Sequence, residues 1–231
     1  TEAEAINQSA FESLIRIAHN FGVKRFIFPS SAAAYGNSHK PLGEDEPLEP
    51  TTPYGRYKAA CEAMLRASKL KWFILRPGGV FGYGPRVRFD LAVNMMTAHA
   101  ALNGQILVAG GEQSRPHVHI RDLIDVILRL LRANIGSDTF NVVYANQRMK
   151  DTAAIVAKTV EKWLKREISV VVSGRTDTRS YSVAGGKLRQ VLSFDCRRNI
   201  EDGIAELCHA FKRGQWADAL TNPLYSNVPA L

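Results

Sequence analysis

Cysteine is scarce: Cys61, Cys196 and Cys208 are the only three, and no two stand in a Cys-x-x-Cys spacing. That argues against a disulfide framework and against a zinc or other metal site, and it suits a reducing cytoplasm. Long apolar runs are lacking too. The longest candidate, Leu123 to Leu131, is interrupted by Asp125 and Arg129, so no membrane-spanning segment of roughly 18 residues is expected. The opening Thr1-Glu2-Ala3-Glu4 is acidic and polar where a secretory signal is basic and then apolar. There is no long run of one charge. The formal net charge is +8, but Lys and Arg are scattered, without the aromatic-interleaved pattern of an RNA-binding module. Nucleic acid is therefore not expected as a partner. A few converging arginines would serve an anionic small molecule better.

What is present is ordinary globular chain: 231 residues, 45% hydrophobic and 23% charged, enough to bury a substantial core. From Ala5 to Asn20 apolar residues recur at helical spacing, at Phe11, Leu14, Ile15 and Ala18, and Gly22 stops the helix. Val23 to Phe28 reads as a short buried strand closed by Pro29. A polar loop follows from Tyr35 to Pro53. A helix over 54–69 has Ala60, Met64 and Ala67 on one face, and a strand over 72–75 ends in Arg76-Pro77-Gly78-Gly79. Helices over 91–102, 121–133, 152–165 and 200–212 then alternate with strands over 105–108, 140–143 and 168–172. This alternation predicts a parallel sheet wrapped by helices, with ligands at the carboxyl ends of its strands. A soft boundary falls near Phe81, giving residues 1–80 and 81–231 as two parts.

The sharpest chemical signal is Tyr54-Gly55-Arg56-Tyr57-Lys58. Residues four apart on a helix share a face, and an ammonium beside a phenol favours the phenolate. Such a pair can act as a general base toward a sugar hydroxyl. Upstream lie Phe28-Pro29-Ser30-Ser31-Ala32-Ala33-Ala34-Tyr35-Gly36 and Glu49-Pro50-Thr51-Thr52-Pro53; downstream lies Leu75-Arg76-Pro77-Gly78-Gly79-Val80-Phe81-Gly82. In this order and separation the pieces resemble the extended short-chain dehydrogenase/reductase family, in particular its sugar-nucleotide epimerases and dehydratases.

The resemblance implies a doubly wound, Rossmann-like α/β sheet with a smaller mixed α/β substrate domain. It implies Ser31, Tyr54 and Lys58 as catalytic residues, with Tyr35-Gly36 marking Ser31. Asn7, Ser30, Tyr54, Lys58, Pro77, Gly78 and Val80 would meet the cofactor. Gly79, Asn94, Arg115 and Arg179 would meet the substrate: Asn94 through the helix start in Arg86 to Asn94, which suits a phosphate, Arg115 through Arg115-Pro116-His117-Val118-His119-Ile120-Arg121-Asp122, and Arg179 through Asp177 to Val183. Pro116 departs from the commoner Asp, and Gly79 stands where the family often has Asn. His117 and His119 read as structural. The implied cofactor is NAD, with NADP left open, and the implied substrate a nucleotide-diphosphate sugar. A homodimer through the Tyr54 helix is expected from the family.

Two absences refine this. The family's 4,6-dehydratases carry Asp-Glu directly after the strand-end Thr, whereas this chain has Ala32 and Ala33, which cannot move a proton; dehydration is disfavoured. The family also opens with a Gly-x-x-Gly-x-x-Gly turn for the cofactor pyrophosphate. No such motif occurs here, so the sheet is expected to be truncated at its N-terminal side. The reading is an NAD-dependent epimerase working through transient 4-keto oxidation and reduction. Its alternatives are a one-way reductase or dehydrogenase on a similar substrate and a non-catalytic binding or assembly subunit.

Overall fold

The structure, a computed structural model, describes residues 2–174 and 179–227, with side chains from Gln8 onward. In chain order the elements are α1 (Glu2–Asn20), β1 (Phe26–Pro29), β2 (Pro41–Leu42), α2 (Pro53–Ala67), β3 (Trp72–Pro77), β4 (Gly79–Phe81), α3 (Ala92–Asn103), β5 (Gln105–Ala109), β6 (Ser114–His119), α4 (Ile120–Arg132), β7 (Asp138–Val142), β8 (Ala145–Arg148), α5 (Met149–Leu164), β9 (Ser169–Ser173), β10 (Ser182–Val183), α6 (Gly186–Leu192) and α7 (Ile200–Lys212). Chain contacts divide them into two units. The first comprises residues 1–78, 123–143 and 179–195; the second comprises 79–122, 144–178 and 196–231.

The first unit is built on a parallel sheet in the order β1-β3-β7. Phe73, Ile74 and Leu75 in β3 are all fully buried. This is how the central strand of a parallel sheet, covered on both faces, reads in sequence. Phe11, Ala18, Phe28, Cys61, Leu65, Leu70 and Ile74 form one core cluster, each large side chain contributing about 1.5–3 kcal/mol on burial. The expected faces need correction in two places. Leu14 is half-exposed. In α2 the buried positions are Gly55, Cys61, Glu62 and Leu65, with Met64 only partly packed and Ala67 exposed. The inward face of α2 thus carries a carboxylate, which apolar periodicity does not reveal. The two-residue pair β2 and β10 adds a small parallel sheet beside a cluster of Ala32, Tyr35, Leu42 and Val183.

The second unit has two small sheets. In one, β6 pairs with β4 in parallel and with β8 antiparallel; in the other, β5 pairs with β9. Phe81, Val93, Met96, Ile106, Val108, Val156, Val160, Ile200 and Ile204 pack together with them. Helix α7 starts on a capping box between Asn199 and Asp202. Gly203 lies where a Cβ would come 2.5 Å from the Phe81 ring. No helix among the described residues is long and apolar enough to cross a membrane.

Candidate active site

Helix α2 begins where its sequence prescribes. Thr52 is extended (φ −115°) and accepts a hydrogen bond from Gly55 N at 3.1 Å, and Pro53 occupies the first turn. Gly55 is required by close approach: a Cβ there would lie 2.6 Å from Ala33 O. The helix start is thereby pressed onto the 3-10 turn Ala32–Ala34, which Ser31 caps by accepting from Ala33 N at 3.1 Å. That bond uses one lone pair of the Ser31 hydroxyl and leaves its proton as a donor.

Tyr54 and Lys58 point the same way. Lys58 Nζ stands 5.7 Å from the Tyr54 ring centre and 4.9 Å from the Phe28 ring centre. It donates to Pro29 O at 2.7 Å, at the carboxyl end of β1. Burial pushes the Lys58 amine below its usual range, while Cys61 and Glu62 oppose that shift. Tyr54 is 54% exposed, so its phenol is open to a ligand. Neighbouring Tyr57 is different: burial, with a hydrogen bond to Cys61, pushes its phenol up to about 12.

The strand ends converge beside this pair. Ser30 N donates to Leu75 O at 2.7 Å, and Gly78 N to Val142 O at 3.1 Å. Ser30, Ser31, Tyr54, Lys58, Pro77 and Gly78 therefore all lie in the first unit. Ser30 Oγ is buried and donates to Glu62 Oε1 at 2.5 Å. Glu62 in turn pairs with Arg76, at 2.7 Å, with both side chains almost fully buried. Arg76 donates to Tyr35 Oη at 2.7 Å. Burial alone would lower the Arg76 pKa, but its bonds to Glu62 outweigh this and raise it. Sequence reasoning missed Glu62, Arg76 and Asn141. The available signal was that Glu62 continues the four-residue spacing of Tyr54 and Lys58. Arg179 is exposed, and its neighbour Ser180 donates to Asn37 Oδ1 at 3.0 Å in the same unit. The Asn7 side chain lies outside the described residues.

Gly79, Val80, Asn94 and Arg115 belong to the second unit. Gly79 and Val80 open β4, with Gly79 exposed and opposite His117. Asn94 is buried; its Oδ1 accepts from Gly82 N and its Nδ2 donates to Arg88 O, both at 3.1 Å. Its amide thus orders the loop after β4, leaving its backbone N–H in the first turn of α3. Arg115 lies half-buried on β6 with Nη1 donating to Ser114 O at 3.0 Å. His117 is buried, and desolvation, with the Arg115 charge, pushes its pKa down to about 4. His119 Nδ1 accepts from Arg121 N, which puts the proton of the neutral ring on Nε2. That atom lies 3.2 Å from Glu206 Oε2, outside hydrogen-bond geometry.

Known proteins resemble this chain in sequence and in fold. The chain is 27% identical over 217 residues to the uncharacterized UDP-glucose epimerase YtcB of Bacillus subtilis strain 168, covering 87% of this chain and 64% of that protein. It spans less than two thirds of the length of the curated relatives it matches first. Among solved structures, the UDP-glucuronic acid 4-epimerase of Bacillus cereus matches with a TM-score of 0.77 at 22% identity, over 90% of this chain and 67% of that one. The dTDP-glucose 4,6-dehydratase DesIV of Streptomyces venezuelae also gives 0.77 at 22% identity, over 96% and 68%. At these identities the structures establish a common Rossmann-like α/β fold. The model of the NAD dependent epimerase/dehydratase family matches residues 2–143, the stretch that carries the strand-end serines, the Tyr54–Lys58 helix and Arg115, and the chain belongs to that family.

Proposed function

We propose that this chain carries the catalytic pair of an NAD-dependent epimerase acting on a nucleotide-diphosphate sugar. The observation that carries the reading is Lys58: it is bonded to the carboxyl end of β1 and stands over the Tyr54 ring, on the side where an open parallel sheet binds ligands. The residues fit the nicotinamide half of a dinucleotide. Lys58 keeps two N–H donors beyond its bond to Pro29 O for ribose hydroxyls, and Gly78 offers backbone without a side chain. The sequence given contains no Gly-x-x-Gly-x-x-Gly turn for the pyrophosphate.

A dinucleotide held by Lys58 would supply the hydride acceptor and donor for the sugar carbon. Tyr54 takes the proton of the sugar hydroxyl as the carbonyl forms and gives it back on reduction. Lys58 holds positive charge 5.7 Å from the centre of the Tyr54 ring, which favours the phenolate. Ser31 donates its remaining proton toward the same oxygen or the sugar carbonyl. Ser30, tied to Glu62, sets the strand end facing the cofactor, together with Pro77, Gly78 and Val80. Arg115 and the backbone N–H of Asn94, in the second unit, and Arg179, in the first, are each suited to diphosphate oxygens through charge-assisted bonds. Gly79 leaves room at the sugar. Ala32 and Ala33 supply no acid for a leaving hydroxyl, which favours epimerisation over dehydration.

The absent glycine turn favours a second reading, a family member that binds without turnover. Product analysis distinguishes them. Incubating the protein with NAD and a panel of UDP- and dTDP-hexoses is expected to give the 4-epimer of one of them. A 4-keto-6-deoxy product would replace epimerisation by dehydration. Binding without any product would favour the non-catalytic reading.

A further inference from the structure

Tyr54, Lys58 and Glu62 follow one another at four-residue steps along α2, but Glu62 is only 1% exposed. A carboxylate this deep persists only when paired and hydrogen-bonded. It accepts from Ser30 Oγ at 2.5 Å, from Arg76 Nε at 3.0 and 3.2 Å, and from Arg76 Nη2 at 2.7 Å. These bonds join α2 to the end of β1 and to β3. The chain of contacts continues from Arg76 to Tyr35 Oη at 2.7 Å and Glu44 O at 3.0 Å. The Tyr35 hydroxyl lies 2.8 Å from Asn141 Oδ1 in β7. Asn141 Nδ2 donates to Leu42 O and Ala184 O, both at 3.0 Å, and its backbone N to Glu44 Oε1 at 2.9 Å. A well-packed apolar pair would often stabilise a core as well as a buried ion pair does. Stability alone therefore gives no reason for charge here, whereas directional bonds fix where the helix stands.

We propose that Glu62 is the positioning residue of this site: through Ser30 and Arg76 it fixes the rotation and height of α2 against the strand ends, and so sets where Tyr54 and Lys58 stand. This rests on the catalytic reading of that pair. The test separates position from stability. Glu62→Leu alone leaves Arg76 buried without a counter-charge and lowers the melting temperature. The double variant Glu62→Leu/Arg76→Met removes both charges. We expect it to recover a melting temperature near the parent's, while kcat stays down by about a hundredfold and KM changes far less, as small misplacements of catalytic groups do. Return of kcat together with melting temperature would overturn the proposal. Should the double variant not fold, Glu62→Asp keeps the charge and shortens the reach by one methylene. A lowered kcat at unchanged KM then supports the proposal, and an unchanged kcat overturns it. A crystal structure of whichever variant folds gives an arm independent of turnover. Lys58 Nζ is expected to leave Pro29 O by about 1 Å, and an unmoved Lys58 contradicts the proposal. Absence of epimerisation in the parent would count against the catalytic reading and leave this structural arm decisive.

Discussion

At Gly36 the backbone turns through φ +81°, and a Cβ there would lie 2.0 Å from Glu49 O. The preceding Tyr35 is buried and sends its hydroxyl into the Glu62–Arg76 network. The Tyr-Gly marker therefore has a physical content: Tyr35 bonds the arginine that pairs with Glu62 of α2, and Gly36 allows the turn that follows. Gly22 has φ +62° but nothing within 4 Å of a Cβ. Gly22→Ala should cost about 1–2 kcal/mol from backbone strain alone. Gly36→Ala adds a clash with backbone that cannot yield and should cost more, on the order of 3 kcal/mol. Urea denaturation of the two variants measures the difference; equal losses would mean that the loop relaxes freely around residue 36. For Glu62→Leu alone the expected loss is about 3–5 kcal/mol, because Arg76 is left uncompensated, and most of it should be absent in the double variant.

Helices α2 and α7 were legible from their starts, where Thr52 with Pro53 and Asn199 with Asp202 supply caps, whereas α3 and α5 begin at Leu91 and Arg148 without a side-chain cap and were legible only as unbroken runs of helix-compatible residues. Strand β6 was not. Of Ser114 to His119 only Val118 is strongly strand-forming, and the segment is made a strand by pairing on both sides with β4 and β8. The pair β2 and β10 joins residues some 140 positions apart over two residues each, so no local pattern announces it. Burial of His117 within β6 yields a pH prediction. Its ring titrates at about 4 in the folded chain against 6.5 when unfolded. Between those values the unfolded chain takes up the proton more readily, so stability is full above pH 6.5 and falls as pH drops toward 4. At about 1.4 kcal/mol per pH unit the loss approaches roughly 3 kcal/mol. Melting temperature measured from pH 7 to pH 4 should fall, and His117→Asn should flatten that part of the curve. An unchanged acid slope in the variant would assign the loss to other groups.

Over the whole molecule, the parts of the candidate site legible in the sequence are local: a Tyr and a Lys one turn apart, serines at a strand end, and Pro-Gly-Gly at the next. The sequence could not expose the charged core that joins them, because Glu62, Arg76, Tyr35 and Asn141 are far apart in the chain and three of them look like surface residues in any composition-based view. The two units divide the candidate residues between them, with Ser31, Tyr54 and Lys58 in the first and Asn94 and Arg115 in the second. The bonds that seat α2 in the core also hold the helix start that carries Tyr54. The most direct measurement is the turnover of Tyr54→Phe on the nucleotide-hexose proposed as substrate, beside the parent, at saturating substrate and NAD. Loss of the proton acceptor should lower kcat by about a hundredfold to ten-thousandfold while the fold and substrate affinity persist. Turnover equal to the parent's would contradict the assignment of the chemistry to Tyr54.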